Sequence, residues 1–379
     1  MKNKLKVLLL AVALIGISNV AICQQKYYDL QTIKQVKTAP AKDLQRPGSC
    51  WSNAGTALIE AEWIKNGRTE IDLSEMTFIR NAYELKAFAY LNSKGATRLD
   101  ERLLASDVFP LMVEYGMAPE EMFMKTVDKP RDASSGEMDA ILRGTMQMVM
   151  EKEGGNFTER WQSTFNAALS RYLGETRIAF NYNNTEYTPK SFAETSGINA
   201  TDYIVLTSDS RNTPDSKIEL PARNNWNKTQ AYNVSADNLQ STIRNAVNSG
   251  YTVIWYGNLA EEMIFPEEMV AIVPAGKIAD LTKPKEGVET TYEPLAEKAV
   301  SPADRQANFE ASVGKELDYL MIFGTSKDKN GNEYVMAKKV CEAGNKTIHL
   351  SPSFVKLNTG YVLLNKKGLP GDLKSKLSL

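Results

Sequence analysis

The sequence predicts an α+β fold in which a helical first half precedes a second half rich in antiparallel strands. Residues 50–173 place apolar side chains at the three-to-four spacing of helix faces, and residues after about 180 contain short β-branched or aromatic runs. The chain has 379 residues, of which 42% are hydrophobic, enough for a sizeable core. We expect a helical lobe over about 45–180 and a β-rich lobe over about 181–370, with a cleft between them. Whether segments of the two lobes interleave is left open.

The helices are predicted from apolar periodicity and from capping residues. The first begins at a cysteine, Cys50, and the second has Ser74 as its N-cap. The predicted segments are 50–65, 75–83, 137–152, 157–173 and 238–248.

The strands are predicted from short runs of β-branched and aromatic residues that end at turn residues. A Lys-Asn-Gly-Asn sequence at 329–332 separates two of these runs and is typical of a hairpin turn. Residues 275–303 are polar, contain proline, and are expected to form an irregular excursion. The predicted strands are 201–207, 251–256, 269–273, 320–324 and 334–337.

Residues 1–23 have the pattern of a secretory signal peptide. Three lysines precede an apolar run at 7–17, which is shorter than the roughly 20 residues that span a membrane. We therefore expect an exported chain, periplasmic or extracellular, that starts near residue 24. A lipid on Cys23 is the less favoured alternative, because Ile22 is larger than the residue expected before such a site.

The composition excludes several classes of function. Lysine and arginine number 45 against 46 aspartates and glutamates, so nucleic acid is not an expected partner. The single histidine and the scattered cysteines form no ligand cluster, so no metal and no cofactor are expected.

Cys50 is the main candidate for chemistry. It follows Gly48 and Ser49, precedes Trp51, and stands at the predicted start of a helix. Free N–H groups and the positive end of the helix dipole favour the thiolate there. This Gly-Ser-Cys-Trp-Ser segment resembles the nucleophile motif of papain-like cysteine peptidases.

Further segments resemble the bleomycin hydrolase and aminopeptidase C branch of that family, especially its secreted bacterial members. The matching segments are 72–76 (DLSEM), 115–119 (YGMAP), 253–257 (VIWYG), 324–332 (GTSKDKNGN) and 353–356 (SFVK), the last resembling the terminal strand region. The resemblance implies a two-lobed papain-like fold with the cysteine on a central helix. It also implies peptide substrates and a homo-oligomer in which C-terminal residues reach the active site, and residues 369–379 are similar in kind.

The resemblance also implies a cysteine, a histidine, an asparagine and an oxyanion-binding glutamine, which this chain does not all retain. Alignment places Asp318 at the histidine position and Lys339 at the asparagine position. Six residues before Cys50 stands Leu44, which has no donor, and Gln45 is one residue closer.

The cleft of the family is also expected to differ here. Arg102 and Leu103 stand where the resemblance implies paired glycines that let a substrate backbone approach. Trp255 lies in the strand that borders the active site in this branch. We therefore expect these three residues to form an altered cleft wall.

His349, the only histidine, is expected to pack in a strand rather than to act as a base. Asp318 and Lys339 are charge-complementary and would be able to form an ion pair; Lys339 as a base for Cys50 is a weaker alternative. The position of a shielding tryptophan falls on Cys341, so a Cys50–Cys341 disulfide in an oxidising compartment is also left open.

Three functional hypotheses follow from these residues. The first is a peptidase homologue, impaired or inactive because histidine and asparagine are replaced, that binds a peptide or protein. The second is an active thiol aminopeptidase that uses Cys50. The third is an envelope interaction or adhesion protein for which the fold is only a scaffold.

Overall fold

A computed structural model describes residues 26–44, 48–124, 134–153, 160–283, 292–344 and 346–379. The predicted signal peptide, residues 1–23, lies outside them. None of the helices within the described ranges is long and apolar enough to cross a bilayer.

The helices concentrate in the first half of the chain, as the apolar periodicity predicts. They are α1 (Cys50–Lys65), α2 (Glu75–Asn92), α3 (Val108–Tyr115), α4 (Ser134–Glu153), α5 (Arg160–Leu173), α6 (Pro189–Thr195), α7 (Ala236–Asn248), α8 (Ile278–Leu281), α9 (Pro302–Ser312), α10 (Pro352–Asn358) and α11 (Gly371–Lys376). A short 3₁₀ turn, Ala105–Asp107, leads into α3.

The strands lie mostly in the second half. They are β1 (Gln31–Gln35), β2 (Phe123–Met124), β3 (Glu175–Thr176), β4 (Phe180–Tyr182), β5 (Thr185–Tyr187), β6 (Tyr203–Thr207), β7 (Ser216–Glu219), β8 (Gln230–Asn233), β9 (Val253–Gly257), β10 (Ile264–Phe265), β11 (Val270–Ala271), β12 (Asp318–Lys327), β13 (Glu333–Lys339), β14 (Ile348–Leu350) and β15 (Thr359–Asn365).

One large sheet organises the molecule, with strand order β10-β11-β14-β13-β12-β9-β15-β6-β8-β7. Its centre is antiparallel, and β6 with β8 and β11 with β14 are parallel pairs. The first half of β12 pairs with β9, and its second half pairs with β1. Gly324 stands at this change of partner, where an added Cβ would lie 2.8 Å from the Lys34 carbonyl oxygen.

The two faces of the sheet bury two different cores. Alternate side chains of a strand point to opposite faces, so Ile254 and Tyr256 join the core under α1 and α2. Their neighbours Val253 and Trp255 join the core under α7, α10 and α11. The sheet is therefore covered by helices on both sides at its centre, which explains why the β9 sequence is apolar without alternation.

Helix α1 lies against the first face and places Cys50 beside Cys341, just after the end of strand β13. Gly55 permits this packing, because an added Cβ would lie 2.2 Å from Val108 Cγ1 and 2.9 Å from the Ala105 carbonyl oxygen. The 3₁₀ turn and α3 thus pack directly on α1, beside its first two turns.

Most of the predicted elements are confirmed, including the helix that begins at Cys50 and the β12–β13 hairpin. The likeness of residues 353–356 to a terminal strand is wrong for this chain, since they lie in α10 and the strand β15 follows. Helix α9 was not predicted; it begins at the end of the excursion predicted for 275–303, of which 284–291 lie outside the described residues.

Candidate active site

Cys50 is the first residue of α1 and is half-buried at the edge of the first core. Ser49 is the N-cap residue, and the first turn of the helix contains no acidic side chain. The positive end of the helix dipole therefore faces Cys50 without local compensation. This is the environment that would favour a thiolate if the sulfur were free.

The sulfur is not free, because Cys50 and Cys341 form a disulfide bond. Their Cα atoms are 5.6 Å apart, within the ordinary range for disulfides, and 291 positions separate them in sequence. The bond joins the start of α1 to the segment that follows β13. Of the alternatives left open for Cys50, the structure thus contains the disulfide and no thiol nucleophile.

The backbone before Cys50 is fastened to the same segment. Leu44 N–H donates to the Cys341 carbonyl oxygen at 3.1 Å, and Ala343 N–H donates to Asp43 Oδ1 at 3.0 Å. Lys42 anchors the start of this stretch through three carboxylates, those of Glu60, Asp72 and Glu75. The two cysteines are therefore brought together by contacts beyond the disulfide itself.

Leu44 stands at the position that the resemblance gives to the oxyanion-binding glutamine. Leu44 is half-buried and contributes only its backbone here, so it supplies no side-chain donor. Gln45, the alternative donor, lies outside the described residues.

Asp318 begins β12 at the end of the hairpin that faces α1. Asp318 pairs with Gly257 on the neighbouring strand β9, and its Oδ2 accepts a hydrogen bond from Leu259 N–H at 3.2 Å. The surrounding protein raises the pKa of this carboxyl, chiefly by desolvation, while the Leu259 N–H and Lys339 act in the opposite direction. A carboxylate, rather than an imidazole, thus occupies the first position of β12.

Lys339 ends β13 and lies at the same end of the hairpin, paired with Leu320. Its Nζ contacts Glu342 Oε2 at 2.9 Å, and among the described residues it makes no ion pair with Asp318. The hypothesis of an Asp318–Lys339 ion pair is therefore wrong. The two charges attract at longer range, as the effect of Lys339 on the Asp318 pKa indicates.

Of the three residues expected in the cleft wall, only Arg102 is partly exposed. Its side chain packs beside Gly48, and its Nε lies 3.6 Å from Glu316 Oε2. Leu103 and Trp255 are buried in the two cores, so the expectation that their side chains line a cleft is wrong. The Trp255 indole instead donates to Thr359 Oγ1 at 2.7 Å.

His349 is a half-buried residue of β14, as expected, and its Nδ1 lies 2.7 Å from Ser326 Oγ. Ser326 is eight residues along β12 from Asp318, about 25 Å in an extended strand. His349 is thus remote from Asp318, the residue aligned with the catalytic histidine of the family. Burial lowers the pKa of His349 to about 4, so its imidazole is neutral at physiological pH.

The lowered pKa makes His349 a contributor to acid sensitivity. An unfolded histidine has a pKa near 6.5, so the unfolded chain binds the extra proton first, and stability is lost as the pH falls from about 6.5 to 4. We expect this single group to account for about 3 kcal/mol of that loss. Chemical denaturation across this pH range should show that the free energy of unfolding falls more steeply with decreasing pH for wild type than for His349→Gln.

The wild-type minus variant difference isolates His349 from Asp107, whose pKa burial raises to about 6. NMR titration of the one imidazole offers a direct check. A measured pKa near 6.5 would contradict the prediction.

The C-terminal tail does not approach Cys50 within one chain. Leu373 and Leu377 are buried in the core under α7, on the sheet face opposite α1. Asn245 Nδ2 donates to the Gly368 carbonyl oxygen at 2.8 Å and fastens the tail to α7. The arrangement implied by the resemblance, with the chain end in the active site, is therefore not present in this chain alone.

The described residues contain no group of three or more histidine, cysteine, aspartate or glutamate side chains placed to hold a metal ion. A cavity of about 370 Å³ lies beside the segment that follows Cys341, and Lys339, Glu342 and Lys346 contribute to its wall. The site as a whole therefore offers a closed disulfide, several charged side chains and a cavity, and no histidine.

Two comparisons with known proteins give no match. No protein-family model and no curated protein matches the sequence.

Solved structures do match. PepW from Lactobacillus rhamnosis superposes with a TM-score of 0.66 at 13% identity, over 92% of this chain and 84% of that one. Bromelain from Ananas comosus in complex with the E64 inhibitor aligns with 86% of this chain and 92% of its own, at a TM-score of 0.35 and 11% identity. Procathepsin L 3 from Tenebrio molitor aligns with 89% of this chain and 70% of its own, at a TM-score of 0.34 and 12% identity.

The similarity to PepW supports the predicted α+β, papain-like fold. At this level of identity it concerns the fold and carries no residue roles. The protein thus has this fold, with a disulfide at the start of the helix that begins with Cys50.

Proposed function

We propose that this chain is an exported papain-fold protein of the bleomycin hydrolase type that binds peptide or protein segments without hydrolysing them. The observation that carries the proposal is the bond between Cys50 and Cys341. A sulfur in a disulfide cannot attack a carbonyl carbon, because the thiolate is the nucleophile.

The neighbouring side chains support the same proposal even for the reduced chain. Asp318 would disfavour a thiolate by like-charge repulsion, and Lys339 is held by Glu342. His349 lies on β14, where it pairs with Met336 in the middle of β13 and contacts Ser326 of β12. Loss of a general acid and base typically costs about 10²–10⁴ in rate, so freeing Cys50 does not restore a peptidase.

Peptide or protein binding is proposed from the charges beside the disulfide. Lys339 and Lys346 border the cavity of about 370 Å³, and Asp318 begins β12, the strand that pairs with the β13 strand of Lys339. Charges of both signs suit the polar backbone and the termini of a peptide.

Export is proposed from residues 1–23 and is supported by the disulfide, because such bonds persist in oxidising compartments.

The test is turnover of fluorogenic aminoacyl and peptidyl substrates by residues 24–379, oxidised and after treatment with dithiothreitol. Cys341→Ser frees Cys50 without a reductant, and Cys50→Ala provides the background. We expect no turnover above that background in any form. Turnover at ordinary enzyme rates by reduced wild type and by Cys341→Ser, absent in Cys50→Ala, would instead establish a thiol peptidase.

Binding is tested separately with a library of fluorescently labelled peptides and fluorescence polarisation. The double variant Lys339→Glu/Lys346→Glu should weaken binding, while Lys283→Glu, an exposed lysine elsewhere, should leave it unchanged. Absence of both turnover and peptide binding would overturn the proposal and favour the scaffold hypothesis.

A further inference from the structure

A second cavity, of about 290 Å³, lies beyond the carboxyl ends of the parallel strands β6 and β8. Its wall includes Ser208 after β6, Asn233 at the end of β8, Ala236 in the first turn of α7, Arg305 of α9 and Lys356 of α10. Ligands in sheets with parallel strands commonly bind beyond the carboxyl ends of those strands. We call it the β6–β8 cavity; none of its wall residues belongs to the Cys50 site.

The start of α7 supplies N–H groups to this cavity. Ser235 is the N-cap, and its Oγ accepts from Asn238 N–H at 3.1 Å. The N–H groups of Ala236 and Asp237 precede this bond and have no intrahelical acceptor, as at the start of any helix. Both residues line the cavity, so the positive end of a 13-residue helix faces it.

Arg305 is the second and independent feature. It is only 5% exposed, and its Nη2 donates to the carbonyl oxygens of Ser208 at 3.2 Å and Thr359 at 2.6 Å. Its Nη1 is buried and makes no hydrogen bond within the described residues. The guanidinium also packs over the Phe309 ring at 4.9 Å.

Arg305 forms no ion pair among the described residues, which is unusual for a buried cation, and the charge of Asp209 acts on it only at longer range. The two carboxylates of the wall are already paired. Asp209 Oδ2 contacts Arg211 Nη2 at 2.7 Å, and Asp237 Oδ1 contacts Lys356 Nζ at 3.0 Å. Burial lowers the pKa of Arg305 only to about 10, so it remains charged at neutral pH.

These observations define the ligand class. One unpaired buried cation matches one negative charge, which favours a monocarboxylate over a doubly charged phosphate. Pro214, Val234 and Pro302 give the cavity an apolar part of its wall, which suits a short aliphatic body.

We propose that the β6–β8 cavity binds a small aliphatic carboxylate, held by Arg305 and by the first N–H groups of α7. The ligand's carboxylate accepts hydrogen bonds from the N–H groups of Ala236 and Asp237 and is attracted by the charge of Arg305, which lines the same cavity. The proposal does not depend on the state of Cys50.

The experiment is an NMR titration of the full chain with isovalerate, with its neutral counterpart isovaleramide, and with inorganic phosphate. Ala236→Leu fills the cavity, and Arg305→Met removes the buried cation. Lys356→Met leaves the Asp237 carboxylate unpaired beside the N–H groups of α7 and changes no residue of the core, so it keeps the test valid if Arg305→Met fails to fold. Lys283→Met is the matched control, because its ion pair with Asp280 is exposed.

We expect saturable binding of isovalerate, about tenfold tighter than that of isovaleramide, and about tenfold weaker in each cavity variant but unchanged in Lys283→Met. Equal binding of acid and amide would overturn carboxylate recognition. Preferential binding of phosphate would overturn the monocarboxylate class. Absence of saturation by any probe at about 10 mM would show that the cavity holds water only.

Discussion

Breaking the Cys50–Cys341 disulfide is expected to lower the free energy of unfolding by about 4 kcal/mol. The bond closes a loop across 291 positions of sequence, so it removes much conformational freedom from the unfolded chain. Its ordinary Cα separation of 5.6 Å places no constraint on the backbone that would offset this gain. Urea denaturation of the oxidised chain and of Cys341→Ser measures the effect.

Cys50→Ser should lose the same amount, because each variant removes the same bond. Thiol titration of denatured residues 24–379 should detect no free thiol before reduction. Two free thiols, together with a loss below about 1 kcal/mol in both variants, would contradict the disulfide. The result also bears on function, since Cys341→Ser provides the free Cys50 needed for the turnover test.

Local signals in the sequence were sufficient for much of the fold. The apolar spacing after Cys50 predicted α1 at its observed bounds, and the Lys-Asn-Gly-Asn turn predicted the β12–β13 hairpin. Helices α9 and α10 begin at equally clear local signals, a serine N-cap followed by proline at Ser301 and Ser351. For residues 353–356 this cap is a better guide than their likeness to a terminal strand.

The cleft wall was harder to predict, because it depends on which face of a strand is exposed. In β9 both faces are buried, so the run of apolar residues does not distinguish Trp255 from its neighbours. Because successive side chains of a strand point to opposite faces, Trp255 lies under α7, on the face opposite Cys50. A fully apolar strand is therefore a weak basis for assigning a side chain to a cleft.

The disulfide and the β6–β8 cavity depend on contacts between distant segments. The resemblance aligned Cys341 near Cys50, but only the folded chain, in which their Cα atoms are 5.6 Å apart, shows that the sulfurs are bonded. No sequence signal around Arg305 distinguishes it from other arginines. What distinguishes Arg305 is that it is buried without an ion pair. Such features follow from packing and are absent from any short window of sequence.

Replacement of Lys42 by methionine is expected to cost about 3–5 kcal/mol at pH 8. Lys42 Nζ lies 2.7 Å from both Glu60 Oε1 and Glu75 Oε1, and both carboxylates are only 1% exposed. It also donates to the Leu73 carbonyl oxygen at 2.8 Å. The variant leaves two buried carboxylates without their cation, and the remaining hydrogen bonds from Leu73 N–H and the Thr56 hydroxyl do not replace it.

The cost of Lys42→Met should depend on pH in a defined direction. Burial already raises the pKa of Glu60 and Glu75, and losing Lys42 raises both further, because its charge lowers them. A raised carboxyl pKa means that the folded state holds protons which the unfolded state releases, so stability falls as pH rises above about 4.3. The variant should therefore be closer to wild type at pH 5 than at pH 8.

Lys283→Met is the matched control, since Lys283 Nζ lies 2.6 Å from Asp280 Oδ1 but both side chains are more than half exposed. Exposed pairs contribute at most about 1 kcal/mol, so burial rather than distance should decide the difference. Adding Glu75→Gln to Lys42→Met should recover part of the loss by removing one charge. Equal effects of the two lysine variants in urea denaturation would show that the Lys42 cluster is solvated, and that it does not hold residues 42–44 against α1.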